Sequence, residues 1–195
     1  MLRRSWLKNG VVLMTAFVAT LSMLSYDAQA QVKPFKISGK GVAPDGLPFP
    51  GQSARPHTVA GNATHLGKHK GAGGIRTISL NPDGTGTFGS SEPFVFTGAN
   101  GDLLYCDYGK QSDVDPTLGR FAIIPAGTPG FFIALFEAEF VPISDSCTGK
   151  FKGVTGSWTM YAVTEPFMFD ALGQISSRCE YSWEGSGELT FQKGK

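Results

Sequence analysis

Cys179-Glu180-Tyr181-Ser182-Trp183-Glu184-Gly185-Ser186-Gly187-Glu188-Leu189-Thr190-Phe191 is the stretch on which the fold turns. Its odd positions carry Cys179, Tyr181, Trp183, Leu189 and Phe191, with Gly185 and Gly187 among them. Its even positions are acids and hydroxyls. Side chains of an extended strand alternate between the two faces of a sheet, so this period of two predicts a half-buried β-strand. The same pattern recurs upstream. Phe132, Ala134, Phe136, Ala138 and Phe140 share one face, and Glu137 and Glu139 fall on the other. Large and small residues alternate along that apolar face, as the inside of a small closed sheet requires. Trp158, Met160 and Ala162 alternate in the same way against Thr159, Tyr161 and Val163.

Turn chemistry separates the runs. Asn81-Pro82-Asp83-Gly84 presets φ at the proline and offers a positive φ at the glycine. Asn100-Gly101, between Phe94–Gly98 and Leu103–Tyr108, is a strong short-range hairpin signal. Further strands are predicted over 35–43, 58–66, 75–80, 85–89 and 120–124. Lys68 to Gly74 is Gly-rich and reads as a bend. Pro48, Pro50 and Pro56 mark a loop outside the sheet, because proline cannot donate to a ladder. No stretch of 31–195 has a helical period. The expectation is one all-β domain, a single antiparallel barrel of about eight strands.

Residues 1–30 are expected to lie outside that domain. Arg3, Arg4 and Lys8 precede the apolar run Val11–Leu24, and Ala28-Gln29-Ala30 offers a small-x-small cleavage site. This is the pattern of a secretory signal peptide. The apolar run is shorter than the roughly 20 residues of a membrane-spanning helix. Arg3-Arg4-Ser5-Trp6-Leu7-Lys8 also fits a twin-arginine signal, read by a receptor rather than used as an anchor. Either route implies a periplasmic or extracellular protein. Beyond this segment basic and acidic residues nearly balance, so there is no electrostatic footprint for nucleic acid. Cys106, Cys147 and Cys179 in an exported chain predict a disulfide with one thiol left over. Their spacing leaves the pairing open and matches no zinc pattern.

Three stretches, Gly61-Asn62-Ala63-Thr64-His65-Leu66-Gly67, Thr97-Gly98-Ala99-Asn100-Gly101-Asp102-Leu103 and Thr148-Gly149-Lys150-Phe151-Lys152-Gly153-Val154-Thr155-Gly156-Ser157, occur in this order. Together they resemble a group of secreted bacterial β-barrel proteins of unknown function, which is itself similar to the allene oxide cyclase and dirigent-type barrels. The resemblance implies an eight-stranded barrel, compatible with a homo-oligomer, whose cavity takes a hydrophobic molecule. It rests on turn and glycine motifs and carries no catalytic residue over.

The remaining candidates come from the residues themselves. Phe132, Phe136, Phe140, Trp158, Tyr181 and Trp183 would line a cavity for a small apolar ligand, or simply pack as core. Asp107 and Tyr105 share a face with Leu103, which would point a carboxylate and a phenol inward, against the plainer reading of an exposed strand end. Glu137, beside Glu139, is a candidate acid–base group, against the plainer reading of a solvated strand end. His65 and His69 are four apart, with His57 upstream. On one strand the first two lie about 13 Å apart, too far for one metal. The plainer reading has His65 fixing a turn and His69 in solvent. No cofactor is expected. Non-catalytic binding of an apolar molecule or protein partner is the leading expectation. The alternatives are an isomerase or cyclase acting in the cavity, or an envelope protein with a filled core. An ionisable group inside an apolar cavity would favour the enzyme.

Overall fold

The computed structural model describes residues 30–90, 92–108 and 119–192. The expected signal peptide lies outside them. Ten strands form one antiparallel sheet: β1 (Gln31–Ala43), β2 (Arg55–Ala63), β3 (Gly67–Leu80), β4 (Thr85–Gly89), β5 (Phe94–Gly98), β6 (Leu103–Tyr108), β7 (Gly119–Pro125), β8 (Phe132–Pro142), β9 (Thr155–Thr164) and β10 (Cys179–Phe191). The order β2-β1-β10-β9-β8-β6-β5-β3 closes on itself through β2–β3, giving a ring of eight strands. The strand β10 alternates as its sequence demands. Cys179, Trp183, Gly185 and Leu189 are buried, and Glu180, Ser182, Glu184, Ser186 and Glu188 are exposed.

The ring has two storeys on one side. Strand β3 pairs with β5 from His69 to Ala72, then with β4 from Arg76 onward. Strand β8 pairs with β7 from Phe132 to Glu137, then with β6 from Phe140 to Pro142. The pair β5–β6 therefore closes one storey and β4–β7 the other.

Three expectations need correcting. Lys68–Gly74 is no bend: it lies inside β3, a continuous strand of 14 residues. Its glycines are there for packing. A Cβ at Gly71 or Gly73 would collide with the Phe94 ring, which lies flat across β3. The turn comes earlier, where His65 and Gly67 take φ of 64° and 69°. Pro56 is the second residue of β2, tolerated so close to the strand start. The three cysteines are buried and unpaired, so no disulfide is present.

The core gathers Phe35, Phe88, Phe94, Phe96, Phe140, Phe151, Trp158 and Trp183 inside the ring. Phe96 sits among them, with ring centroids of Phe94 at 4.6 Å, Trp183 at 5.8 Å and Trp158 at 6.0 Å. The three glycine-containing stretches meet at one end. Gly98 packs against Leu66, where a Cβ would lie 3.0 Å from the leucine side chain, and the Thr148 N–H donates to the Leu103 carbonyl at 2.9 Å. A second apolar cluster of Ala134, Phe167 and Ile175 packs with Leu47 and Phe132. It joins the segments before β2 and before β10, and Arg55 Nη1 ties them by donating to the carbonyls of Leu47 at 3.3 Å and Ile175 at 3.1 Å.

Candidate functional site

His57, Tyr108 and Tyr181 meet inside the ring. His57 is the third residue of β2 and shares the inward face of Val59. Tyr108 ends β6 and is 3% exposed. Tyr181 is the third residue of β10. Between β10 and β2 runs β1, whose Gly41 is the partner of both Tyr181 and Val59. A side chain at residue 41 would overlap the phenol ring, so glycine there opens the way for Tyr181 to reach across β1.

The contacts are close. His57 Nδ1 lies 2.7 Å from Tyr181 Oη, and His57 Nε2 lies 2.9 Å from Tyr108 Oη. The Tyr108 hydroxyl also donates to the Gly74 carbonyl. That carbonyl needs a donor from outside the ladders. Its partner on β2 is Pro56, which has no N–H. On its other side the pairing to β5 ends at Ala72 and the pairing to β4 begins at Arg76. The His57 ring rests on Phe94 at 5.0 Å, and Tyr108 stacks on Phe140 at 4.9 Å and 6°.

The three side chains share the wall of a cavity with apolar residues that include Val59, Ile75, Phe96, Phe136, Met160 and Trp183. Its volume is about 50 Å3. Thr164 is the other hydroxyl in the wall, and its Oγ1 accepts from the Ala134 N–H at 2.8 Å. Loss of hydration lowers the pKa of His57 to about 4 and raises those of Tyr108 and Tyr181 above the ordinary phenol value. The Tyr108 phenolate gains a little from the Ser90 hydroxyl, against the larger effect of burial. At neutral pH all three groups are uncharged.

Of the residues expected at a site, Phe136, Phe140, Tyr181 and Trp183 line this cavity. Trp158 is buried in the core, 4.8 Å from the Phe35 ring centroid. Phe132 belongs to the second cluster, 4.9 Å from Phe169. Tyr105 and Asp107 face the other way. Leu104, Cys106 and Tyr108 are the buried face of β6, and Tyr105 and Asp107 are half-buried on its opposite face. Glu137 is exposed, with Arg120 and Tyr161 as cross-strand partners. His65 and His69 do not converge. The His65 ring meets Phe191 at 5.1 Å and its Nε2 lies 3.2 Å from the Pro34 carbonyl. His69 is 5% exposed rather than solvated, with Phe96 at 5.7 Å. Among the described residues no three potential ligands form a metal-binding group. No helix of the described residues is long and apolar enough to cross a membrane.

His57 and Tyr108 were not expected at the site, although signals for both existed. The hairpin register places Phe96 opposite Leu104 and Phe94 opposite Cys106, so inward phenylalanines impose an inward Tyr108. His57 is two residues from Val59 and therefore on its face. No protein-family model, curated protein or solved structure matches the chain.

Proposed function

We propose that this chain is an exported small β-barrel that binds a small apolar molecule without transforming it. The observation behind this is a cavity whose accessible wall is apolar, with Thr164 and the neutral, hydrogen-bonded Tyr181–His57–Tyr108 chain among its lining residues. Ligand sites commonly combine apolar walls with a few convergent polar groups that orient the ligand. The eight-stranded ring is the barrel of this proposal. Its kinship with allene oxide cyclase-like barrels rests on the three glycine-containing stretches that meet at one end.

An isomerase or cyclase is the alternative, and the inward His57 favours it. Its state does not. An imidazole with a pKa near 4 is uncharged and only weakly basic at neutral pH, and tyrosines with raised pKa values are not phenolate bases. A resting network of this kind offers hydrogen bonds. The homo-oligomer in this proposal would use the outer face of β7–β9, where Ile124, Leu135, Tyr161 and Val163 are exposed.

Native mass spectrometry of the protein purified from its own host tests the proposal. A stoichiometric small-molecule adduct, released on unfolding, is expected. An adduct-free protein whose Ala162→Leu variant, with the cavity filled, gains stability and loses no binding property would point to a packed core instead.

A further inference from the structure

Charge is sorted around the outer wall of the ring. Strands β1, β2 and β3 contain lysines and arginines but no acid, and β8, β9 and β10 contain glutamates but no lysine or arginine. Lys36, Lys40, Lys68 and Lys70 are exposed, as are Glu137, Glu139, Glu184 and Glu188. Among the described residues none of these eight is in an ion pair. The ladders set them in rows. On one face Ala60 pairs with both Lys40 and Lys70, so a small residue stands between two cations. On the other face Tyr161 pairs with both Glu137 and Glu184, so a ring that is 50% exposed stands between two anions. In each row the two charges are two strand spacings apart, about 10 Å. Ala60 lies in a hollow of the outer wall between its lysines. One face is thus a dip flanked by cations and the other a projection flanked by anions.

Resting on the homo-oligomer of the proposed function, we infer that the partner of the β1–β3 face is the β8–β10 face of a second copy of this chain. With the two barrel axes parallel, β1 of one copy faces β10 of the next, β2 faces β9 and β3 faces β8. Tyr161 then enters the hollow at Ala60, while Lys40 meets Glu184 and Lys70 meets Glu137. The same register forms two more charge pairs. Facing strands count in opposite directions, so Lys36, four residues before Lys40, falls on Glu188, four after Glu184. Likewise Lys68 falls on Glu139. On the other side of the central row Thr58 and Ala72 fall on Val163 and Leu135, which are 41% and 37% exposed. Complementary charges fix register and exclude other dockings, and the apolar row between them gives the contact its dry centre. The two faces are different surfaces, so the contact is heterologous and repeats into a closed ring or an open filament.

Sedimentation velocity of the purified protein tests this. The wild type should associate in low salt, less strongly as salt screens the charges. Lys40→Glu with Lys70→Glu, and separately Glu137→Lys with Glu184→Lys, should each weaken association at least about tenfold, because like charges then face each other. All four side chains are exposed, so the fold, checked by amide dispersion, should hold. An equimolar mixture of the two double variants should associate again, since each supplies the face that the other lacks. A wild type that stays monomeric in low salt, or double variants that stay apart on mixing, overturns the inference. Retention of that monomer on a sulfated resin would assign the lysines to a polyanion instead. Assembly that survives both reversals would put the oligomer on another surface, overturning this contact while leaving homo-oligomerisation standing. Every reversed side chain lies outside the ring, so none of these results bears on the ligand in the cavity.

Discussion

The Tyr181 hydroxyl lies 2.7 Å from His57 Nδ1 although β1 runs between the strands that carry them. The bare backbone of Gly41 makes that crossing feasible. In Gly41→Ala the new methyl group would occupy the place of the phenol ring. Tyr181 must then leave His57, or β1 must shift. Overpacking of this kind costs about 1–3 kcal/mol. Urea unfolding should show that loss, and the NMR signature of the His57–Tyr181 hydrogen bond should vanish. An unchanged midpoint with the bond intact would refute the packing described for Gly41.

The depressed pKa of His57 makes stability depend on pH. Unfolded, the imidazole titrates near 6.5; folded, it titrates at about 4. Between these values the unfolded chain binds more protons, so stability rises with pH. Acidification from about 6.5 to about 4 should therefore cost on the order of 3 kcal/mol from this group. His69, lowered by burial against a smaller upward pull from the Gly67 carbonyl, adds in the same direction. Urea midpoints across this window should fall less steeply in His57→Gln. A native His57 that titrates above pH 6 by NMR would contradict the half-buried, neutral imidazole.

Phe96 should be the costliest single truncation in the core. Its ring faces Phe94, Phe140, Trp158, Trp183 and His69 at centroid distances of 4.6 to 6.0 Å. Phe96→Ala should lose about 3–5 kcal/mol in equilibrium unfolding. Glu137→Ala, on the exposed face of β8, should change stability by no more than about 0.5 kcal/mol.

The thiols should be silent in the native state. Cys106, Cys147 and Cys179 are at most 3% exposed. Burial raises all three pKa values, that of Cys179 to about 11. A thiol reagent at mildly alkaline pH should label none of them until the chain is unfolded, and then all three. A native mass lower than the sequence mass by two hydrogens would reveal a disulfide instead.

The ring was legible in the sequence where one face is apolar and the other is not. In β10 and β8 the two faces differ in kind at nearly every step, and the alternation survived into the structure. The hairpin at Asn100-Gly101 closes as its turn residues require, with Gly101 at a φ of 85°. Strand β6 left its inward face open because Leu103 and Tyr105 are as apolar as Leu104 and Tyr108. Only its register against Phe94 and Phe96 settles which set turns inward. Strand β3 was misread because glycine in isolation signals a turn. The reason for Gly71 and Gly73 lies at Phe94, some twenty residues on, in a ring that needs the space over β3. The site was the least legible part. Tyr181 stood out on its strand, but its partners come from β2 and β6, and no local pattern connects 57, 108 and 181.

The change of partners along β3 and β8 divides the wall by stiffness. Strands β10, β1 and β9 run for 10 to 13 residues, whereas β4, β5 and β6 have only 5 or 6. His57 and Tyr181 ride on the long-stranded half, and Tyr108 on the stacked short pairs. A guest too bulky for the resting volume would therefore dilate the wall on the Tyr108 side, and the Tyr181–His57 contact would keep its length while Tyr108 gave way.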